Sequence, residues 1–356
     1  MLKNMSGTTV YRCVLENTHK KYTCVPCVCC DFCERVLHEY TCVVMFMWFG
    51  TQVYSYACYL REIRLTEHIV DYILIFCRKL VFETESGVGL YHFQMLDLQP
   101  SKWINDGVIN GFASMLNYEE KKRISGSNIF GDDDKVKGIK PRLFGQTNCF
   151  DEDMLLNRKH KEAGRVEKFK SALFLVVDQK ESLMSLSEYC VIFFPILEHN
   201  HFYLVSFMER NAITVIDNID ASKSPIHLMN NDNFFQKSTP YKVKDIFSKY
   251  LKMVNHHKSA EIEIADVVRL EFEWKTVKNT VDCGVFVRRH METWFGVTAD
   301  KWDSGFPLTH KEKKACLTNL RKKYAIKLVT SEANKHRSRV LDEAAEHEKT
   351  HGIGCF

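Results

Sequence analysis

Residues 190–217, "CVIFFPILEHNHFYLVSFMERNAITVID", decide the fold of this chain. The first seven residues are continuously apolar, which is typical of a strand buried on both faces at the centre of a sheet. Two further apolar, β-prone segments follow at 201–207 and 212–217, with a turn within "MERNA" between them. The pattern predicts an antiparallel hairpin beside a central strand.

This hairpin brings a histidine close to an aspartate. If its turn is centred on Glu209, residues whose numbers add up to 418 lie opposite each other, so His201 faces Asp217. Directly opposed residues of an antiparallel pair project on the same face with Cβ atoms about 5 Å apart. A register shift of one or two residues would put Asn218 or Ile219 there instead. The pair is then either a base with its orienting carboxylate or a solvent-facing polar pair.

A cysteine in "NTVDCGVFVRRHMETWFG", residues 279–296, stands where a helix is predicted to begin. Asp282 is the predicted N-cap, which places Cys283 in the first turn. There the helix dipole and the free backbone N–H groups stabilise a thiolate and a developing oxyanion. A buried core thiol is the commoner explanation of any one cysteine. The order His201, Asp217, Cys283, at a strand start, a strand end and a helix start, favours a nucleophile with its base.

Apolar residues at helical spacing predict three helices packed against the sheet. Their apolar stripes are Val108, Phe112, Met115 and Leu116; Val287, Met291, Trp294 and Phe295; and Leu317, Leu320, Tyr324 and Leu328. The charged, turn-rich segments 120–165 and 219–262 are interpreted as surface connections. Strands and helices are segregated along the chain, which favours an α+β fold.

Composition and charge narrow the class of protein. The 356 residues are 45% hydrophobic and 26% charged, as expected for a globular chain with a sizeable core. The net charge of +4 is concentrated in 308–350, where acidic residues interleave with the basic ones and no aromatic cluster accompanies them. We interpret this segment as a solvated helix face and expect no nucleic-acid partner.

The first 80 residues have a different character, because they hold nine of the fourteen cysteines. Five of these are closely spaced, at Cys24, Cys27, Cys29, Cys30 and Cys33. This run lacks the two separated Cys-x-x-Cys pairs of structural zinc sites and the spacing of ferredoxin ligands, so we predict no metal and no cofactor, with a metal protein as the alternative. The uncharged residues 40–60 are long enough to cross a bilayer but suit a buried strand equally well, and we expect no membrane span. The first twenty residues lack the apolar core of a signal peptide, which predicts a reducing, nuclear or cytoplasmic location.

Four blocks of this sequence, "WINDGVIN", "FFPILEHNHFYLVSF", "ITVIDN" and "NTVDCGVFVRRHMET", resemble the signature blocks of the ubiquitin-like-protein-specific (Ulp, or sentrin-specific) cysteine proteases. Within that family, the blocks resemble the transposon-associated plant members in particular. The resemblance runs over 86–342, leaving an N-terminal segment 1–80 and a short tail 343–356. It implies a papain-like or adenain-like α+β fold with a central mixed sheet flanked by helices and a nucleophile at a helix N-terminus.

The resemblance also implies a role for individual residues. His201 would be the general base, Asp217 its orienting carboxylate and Cys283 the nucleophile. Trp103 and Phe202 would form a narrow tunnel for a Gly-Gly tail, with Asp106 beside them. Three further residues belong to the predicted site: Asn279 and Asp282 as support for the oxyanion, and Gly284 as room for the substrate backbone.

Two positions depart from the family pattern. Phe202 directly follows His201, where the family usually has a tryptophan. Family members also place an oxyanion-hole glutamine six residues before the cysteine, where this chain has Val277. Asn279 or Lys278 could replace that donor. The predicted function is cleavage after the C-terminal Gly-Gly of a ubiquitin-like modifier of the SUMO class, by isopeptide deconjugation or precursor processing, in a monomer. The alternative is a weakly active or inactive module that binds such a modifier.

Overall fold

A mixed five-stranded sheet organises this molecule. The computed structural model describes residues 79–127, 140–155, 161–208, 213–220, 238–277, 279 and 281–351. The strands of this sheet are β3 (Arg142–Phe144), β4 (Val191–Glu198), β5 (His201–Met208), β6 (Ile213–Ile216) and β7 (Val267–Arg269), in that spatial order. The two outer pairs, β3–β4 and β6–β7, are parallel, while β4–β5 and β5–β6 are antiparallel. A separate antiparallel pair is formed by β1 (Leu80–Glu83) and β2 (Gly89–Tyr91).

Helices precede, interrupt and follow the strands. They are α1 (His92–Met95), α2 (Asp106–Ser127), α3 (Glu152–Leu155), α4 (Glu162–Val176), α5 (Thr239–Met253), α6 (Ser259–Ile264), α7 (Cys283–Thr293), α8 (His310–Thr330) and α9 (Arg337–His351). Short 3₁₀ segments lie at Leu96–Leu98, Thr147–Phe150, Glu181–Leu183 and Ala299–Lys301.

Each face of the sheet carries its own hydrophobic core. Side chains alternate across a strand, so Phe193 of β4 enters the core shared with α2, α7 and α8, while Phe194 enters the core shared with α4 and α5. Both phenylalanines are fully buried, which confirms that β4 is a central strand covered on both sides. The predicted α+β class and the mixed, helix-flanked sheet are therefore confirmed.

The three predicted apolar stripes are buried, with one exception. Phe295 is 57% exposed, because α7 ends at Thr293 and the chain leaves the helix before reaching it. Its ring instead stacks on the guanidinium of Arg142, 3.8 Å from the ring centroid. Arg142 also donates to the carbonyl oxygens of Met291 and Trp294, which caps the C-terminal end of α7.

The interpretation of 120–165 and 219–262 as surface connections is wrong. The first contains β3, a strand of three residues that is too short to give a periodic signal. The second contains α5, whose buried residues are spaced as a helix requires and could have been recognised: Val243, Ile246, Phe247, Tyr250 and Leu251.

The described fold extends beyond the predicted limits of the protease-like region. β1 begins at Leu80 and α9 continues to His351, so residues on both sides of 86 and 342 belong to regular elements. The cysteine run and the uncharged residues 40–60 lie outside the described residues. Within the described ranges, no helix is long and apolar enough to cross a membrane, and no cluster of three or more His, Cys, Asp or Glu residues could hold a metal ion.

Candidate active site

His201 and Asp217 meet at one end of the antiparallel hairpin. His201 is the first residue of β5, Asp217 directly follows β6, and His201 Nε2 lies 2.8 Å from Asp217 Oδ1. The predicted register is wrong by two residues, because Leu204 pairs with Ile216 and the paired numbers add up to 420. The two side chains therefore approach diagonally across the ladder rather than face to face. Both are buried, which excludes a solvent-facing pair.

Both carboxylate oxygens of Asp217 have hydrogen-bond partners. Its Oδ1 also accepts from the backbone N–H of Ile219 at 3.0 Å, and its Oδ2 accepts from Arg269 Nη1 of β7 at 3.0 Å. Burial favours the neutral acid, but the positive charges of His201 and Arg269 outweigh it and lower the pKa of Asp217 to about 2. The carboxylate is thus an ionised, fixed partner for the imidazole.

Cys283 is the first residue of α7 and is fully buried. Burial lowers the pKa of His201, but the Asp217 carboxylate and a contact with the Cys283 side chain outweigh burial and raise it to about 10. Because Nε2 is bonded to Asp217, the other ring nitrogen, Nδ1, is the one left for the thiol; it has no hydrogen-bond partner among the described residues. The Cys283 side chain thus interacts with an imidazole that is itself bonded to the carboxylate of Asp217.

The turn before Cys283 is held by side-chain hydrogen bonds. Asp282 occupies the N-cap position, and its carbonyl accepts from Val285 N at 2.8 Å, but its side chain makes no capping bond to the helix. Asn279 Nδ2 instead donates to Asp282 Oδ2 at 2.9 Å, while Asn279 Oδ1 accepts from Asp282 N at 3.0 Å. Both ends of the Asn279 amide are therefore bonded to Asp282, which makes Asn279 a support for the turn.

Asn218, the residue after Asp217, forms hydrogen bonds to this turn and to the segment that precedes it. Its Nδ2 donates to Asn279 O at 3.0 Å and to Thr276 Oγ1 at 3.1 Å, and Thr276 N donates to Asn218 O at 2.7 Å. Sequence reasoning missed both Asn218 and Arg269 as supporting residues. Asn218 is adjacent to Asp217 and could have been suspected, whereas Arg269 is far away in sequence and gave no signal.

Trp103 and Phe202 are brought together, but no tunnel lies between them. Their rings stack with centroids 5.2 Å apart and planes inclined by 18°. A peptide between two rings needs contact distances of about 3.5–4 Å on each side, so the predicted passage is wrong. Phe202 is fully buried, while Trp103 is half-buried and its Nε1 donates to Asn200 O at 3.0 Å. Trp103 is therefore the aromatic ring that a substrate tail could meet.

The space beside Gly284 is filled by the protein itself. A Cβ at this position would lie 3.0 Å from Ile104 Cβ and 3.3 Å from Ile109 Cδ1. The prediction that Gly284 leaves room for a substrate backbone is wrong, since the glycine lets α7 pack closely against the start of α2. Asp106, the first residue of α2, is exposed, and its Oδ1 accepts from the neighbouring Gly107 N–H at 2.9 Å.

The fold is similar to that of SUMO proteases whose structures have been solved. The chain aligns with the C-terminal Ulp1 protease domain, solved in complex with Smt3, the yeast orthologue of SUMO, with a TM-score of 0.50 and 13% identity over 76% of this chain and 96% of that domain. The catalytic domain of the Chaetomium thermophilum Ulp1-like SUMO protease gives a TM-score of 0.48 and 17% identity over 79% and 93%. No family model and no curated protein matches the chain. The alignment with Ulp1 confirms the predicted fold; the closeness to plant transposon-associated members stays a prediction.

Proposed function

We propose that this chain is a cysteine peptidase that cleaves after the C-terminal glycine of a SUMO-class modifier, by releasing it from lysine side chains or by processing its precursor. The observation that carries the proposal is the buried pair of His201 and Asp217 beside Cys283 at a helix start. A positively charged imidazole next to a thiol is the arrangement that activates a cysteine as a nucleophile.

The chemistry follows from the order of these three groups. The Cys283 thiolate attacks the carbonyl carbon of the terminal glycine, and the backbone N–H groups at the start of α7 stabilise the resulting oxyanion. His201 donates its proton to the departing lysine amine, which leaves a thioester on Cys283. A water molecule then gives a proton to His201 and attacks the thioester, which releases the glycine carboxylate and the thiolate. Asp217 holds the imidazole in place throughout.

A Gly-Gly tail suits the entrance to this site. Trp103 is the half-buried ring beside the His201 strand, and residues without a Cβ can approach such a ring most closely. A SUMO-class modifier is the corresponding partner, and the enzyme would act as a monomer in the nucleus or cytoplasm. The catalytic roles of His201, Asp217 and Cys283 belong to the same proposal.

A panel of modifiers with a C-terminal electrophile tests the proposed function. Each probe, a SUMO, a ubiquitin or another ubiquitin-like protein ending in a vinyl sulfone, is incubated with the chain, and adducts are located by mass spectrometry. We expect a covalent adduct on Cys283 with a SUMO-class probe. If none of the probes labels Cys283 while one of the modifiers binds measurably, the chain is a binding module rather than a peptidase.

The second candidate function, a modifier-binding module with weak activity, is favoured by Val277. This valine is 38% exposed at the position of the expected oxyanion donor. Introducing the donor as Val277→Gln should raise the turnover of a SUMO-class substrate by about tenfold or more, since one such hydrogen bond contributes about 10²–10³ in rate.

The matched control is Val297→Gln, because Val297 is 37% exposed and lies beyond the end of α7 that is opposite Cys283. It should leave turnover within about twofold of wild type, as expected for a surface substitution. Steady-state kinetics on a fluorogenic modifier substrate measure both. Equal turnover of Val277→Gln and wild type would mean that another group already fills the oxyanion hole.

A further inference from the structure

We propose that Arg321 is a positioning residue that fixes two walls of the proposed active site, one on each side of its guanidinium group, relative to each other. One wall is the nucleophile turn, residues 281–283, which ends at Cys283. The other is the clamp loop, residues 97–103, which ends at Trp103. The inference rests on the proposed function, because it assigns a purpose to the distance between the thiol and the tryptophan.

Arg321 contacts both walls through one guanidinium group. Toward the nucleophile turn, its Nε and Nη2 donate to Asp282 Oδ1 at 3.0 and 2.7 Å, and Nη2 also reaches Val281 O at 3.3 Å. Toward the clamp loop, Nη1 donates to the carbonyl oxygens of Asp97 and Gln99, each at 3.0 Å.

The last of these contacts reaches the residue before the tryptophan. Arg321 Nη2 donates to Lys102 O at 2.8 Å. The residues directly preceding Trp103 and Cys283, Lys102 and Asp282, are thus bonded to the same guanidinium nitrogen. Arginine suits this task, since its planar group presents five donors in a fixed geometry, whereas lysine offers three on a flexible stem.

The arginine is itself rigidly placed. Its side chain is 1% exposed and lies on α8, which is anchored in the core by Leu317, Tyr324 and Leu328. Asp282 is the ionic partner, so the link between the helix and the nucleophile turn is a charge-assisted, two-donor bond. Because neither wall belongs to α8, the helix serves as a common support that sets the spacing between the two walls.

The test compares a large and a small thiol reagent on Arg321→Lys. The SUMO-class vinyl sulfone probe must pass Trp103 to reach Cys283, whereas iodoacetamide needs no guidance by the clamp loop. We expect the probe's rate of reaction with Cys283 to fall by about tenfold to a hundredfold, the effect of a displacement near 1 Å, and the iodoacetamide rate to stay within about threefold. Peptide mapping identifies the modified cysteine, so that both rates refer to Cys283 alone.

Arg142→Lys is the matched control. Arg142 is also a buried arginine with an ion pair, to Glu120 at 2.7 Å, and with bonds to backbone carbonyls, but it lies at the far end of α7. Its replacement should lower the melting temperature to a similar extent and leave the ratio of the two reaction rates unchanged. A purely structural role of Arg321 would give the same unchanged ratio.

Two outcomes would overturn the inference: an unchanged probe rate in Arg321→Lys, or an equal fall for both reagents. Both outcomes are measured on a variant while the wild type still reacts with the probe. The proposed function would therefore stand even though the role of Arg321 would be refuted. If the wild type takes no modifier probe at all, the proposed function fails first.

Discussion

Alanine in place of Cys283 is expected to abolish cleavage of a SUMO-class substrate, with a loss of about 10⁴-fold or more in turnover. The substitution removes the atom that forms the thioester, and the remaining backbone N–H groups and binding contacts cannot replace it. Turnover is measured on a modifier fused to a fluorogenic amide. Binding of the intact modifier, followed by calorimetry, should stay within about threefold, because Cys283 is buried and its removal leaves only a small gap.

Cys316→Ala supplies the control for this substitution. The described part of the chain contains three other cysteines, Cys149, Cys190 and Cys316, and burial raises the pKa of each thiol. Such thiols are protonated and unreactive at neutral pH. Cys316 lies half-buried on α8, and its removal should leave turnover unchanged. Residual activity of Cys283→Ala at a tenth of the wild-type level would mean that a different residue is the nucleophile.

The strands and the helix start of the candidate site were predicted correctly from the sequence, but the register of the hairpin was not. The continuous apolar run of β4 and the position of Cys283 at a helix start are local properties, and both are correct. The register of the hairpin depends on the conformation of its turn, which the letters "MERNA" leave open. Side chains alternate between the two faces of a strand with a period of two, so a register error of two residues leaves each side chain on its predicted face. His201 and Asp217 therefore still lie on the same face and contact each other.

Residues that act through long-range contacts could not be predicted. Arg269 and Arg321 contact Asp217 and Asp282 only after the chain has folded, 52 and 39 positions apart in sequence. The interpretation of Gly284 failed for a related reason. A glycine after a candidate nucleophile fits either a substrate or a neighbouring helix, and only the positions of Ile104 and Ile109 distinguish the two.

The ion pair within the candidate triad has a defined dependence on pH. The pKa of His201 is raised from 6.5 to about 10, because Asp217 and Cys283 outweigh the opposing effect of burial. The imidazolium therefore persists throughout the neutral range and is lost as the pH rises through about 10. On the acid side, Asp217 remains ionised until the pH falls toward about 2. Turnover that requires the imidazolium should decline only in strongly alkaline solution.

Asp217→Asn should lower turnover by about 10²- to 10⁴-fold and move its alkaline decline to lower pH. The amide keeps the size of the side chain but removes the negative charge that raises the pKa of His201. The pKa of His201 should then fall, because burial lowers it and only the contact with Cys283 still raises it. As the pH is raised from 5 to 10, turnover of the variant should therefore decline at a lower pH than that of the wild type. A lower but otherwise identical pH profile would show that Asp217 has no influence on the protonation of His201.

Arg269→Gln tests the contribution of Arg269 to the Asp217 carboxylate independently of that of His201. It removes the ion pair to Asp217 Oδ2 but leaves the bond from His201 to Oδ1, so the negative charge that raises the pKa of His201 is retained. We expect a loss of only about tenfold in turnover, with the alkaline decline still above that of Asp217→Asn, because orientation is loosened while the charge remains. If Arg269→Gln instead reproduces the full pH shift of Asp217→Asn, the arginine rather than His201 keeps Asp217 ionised.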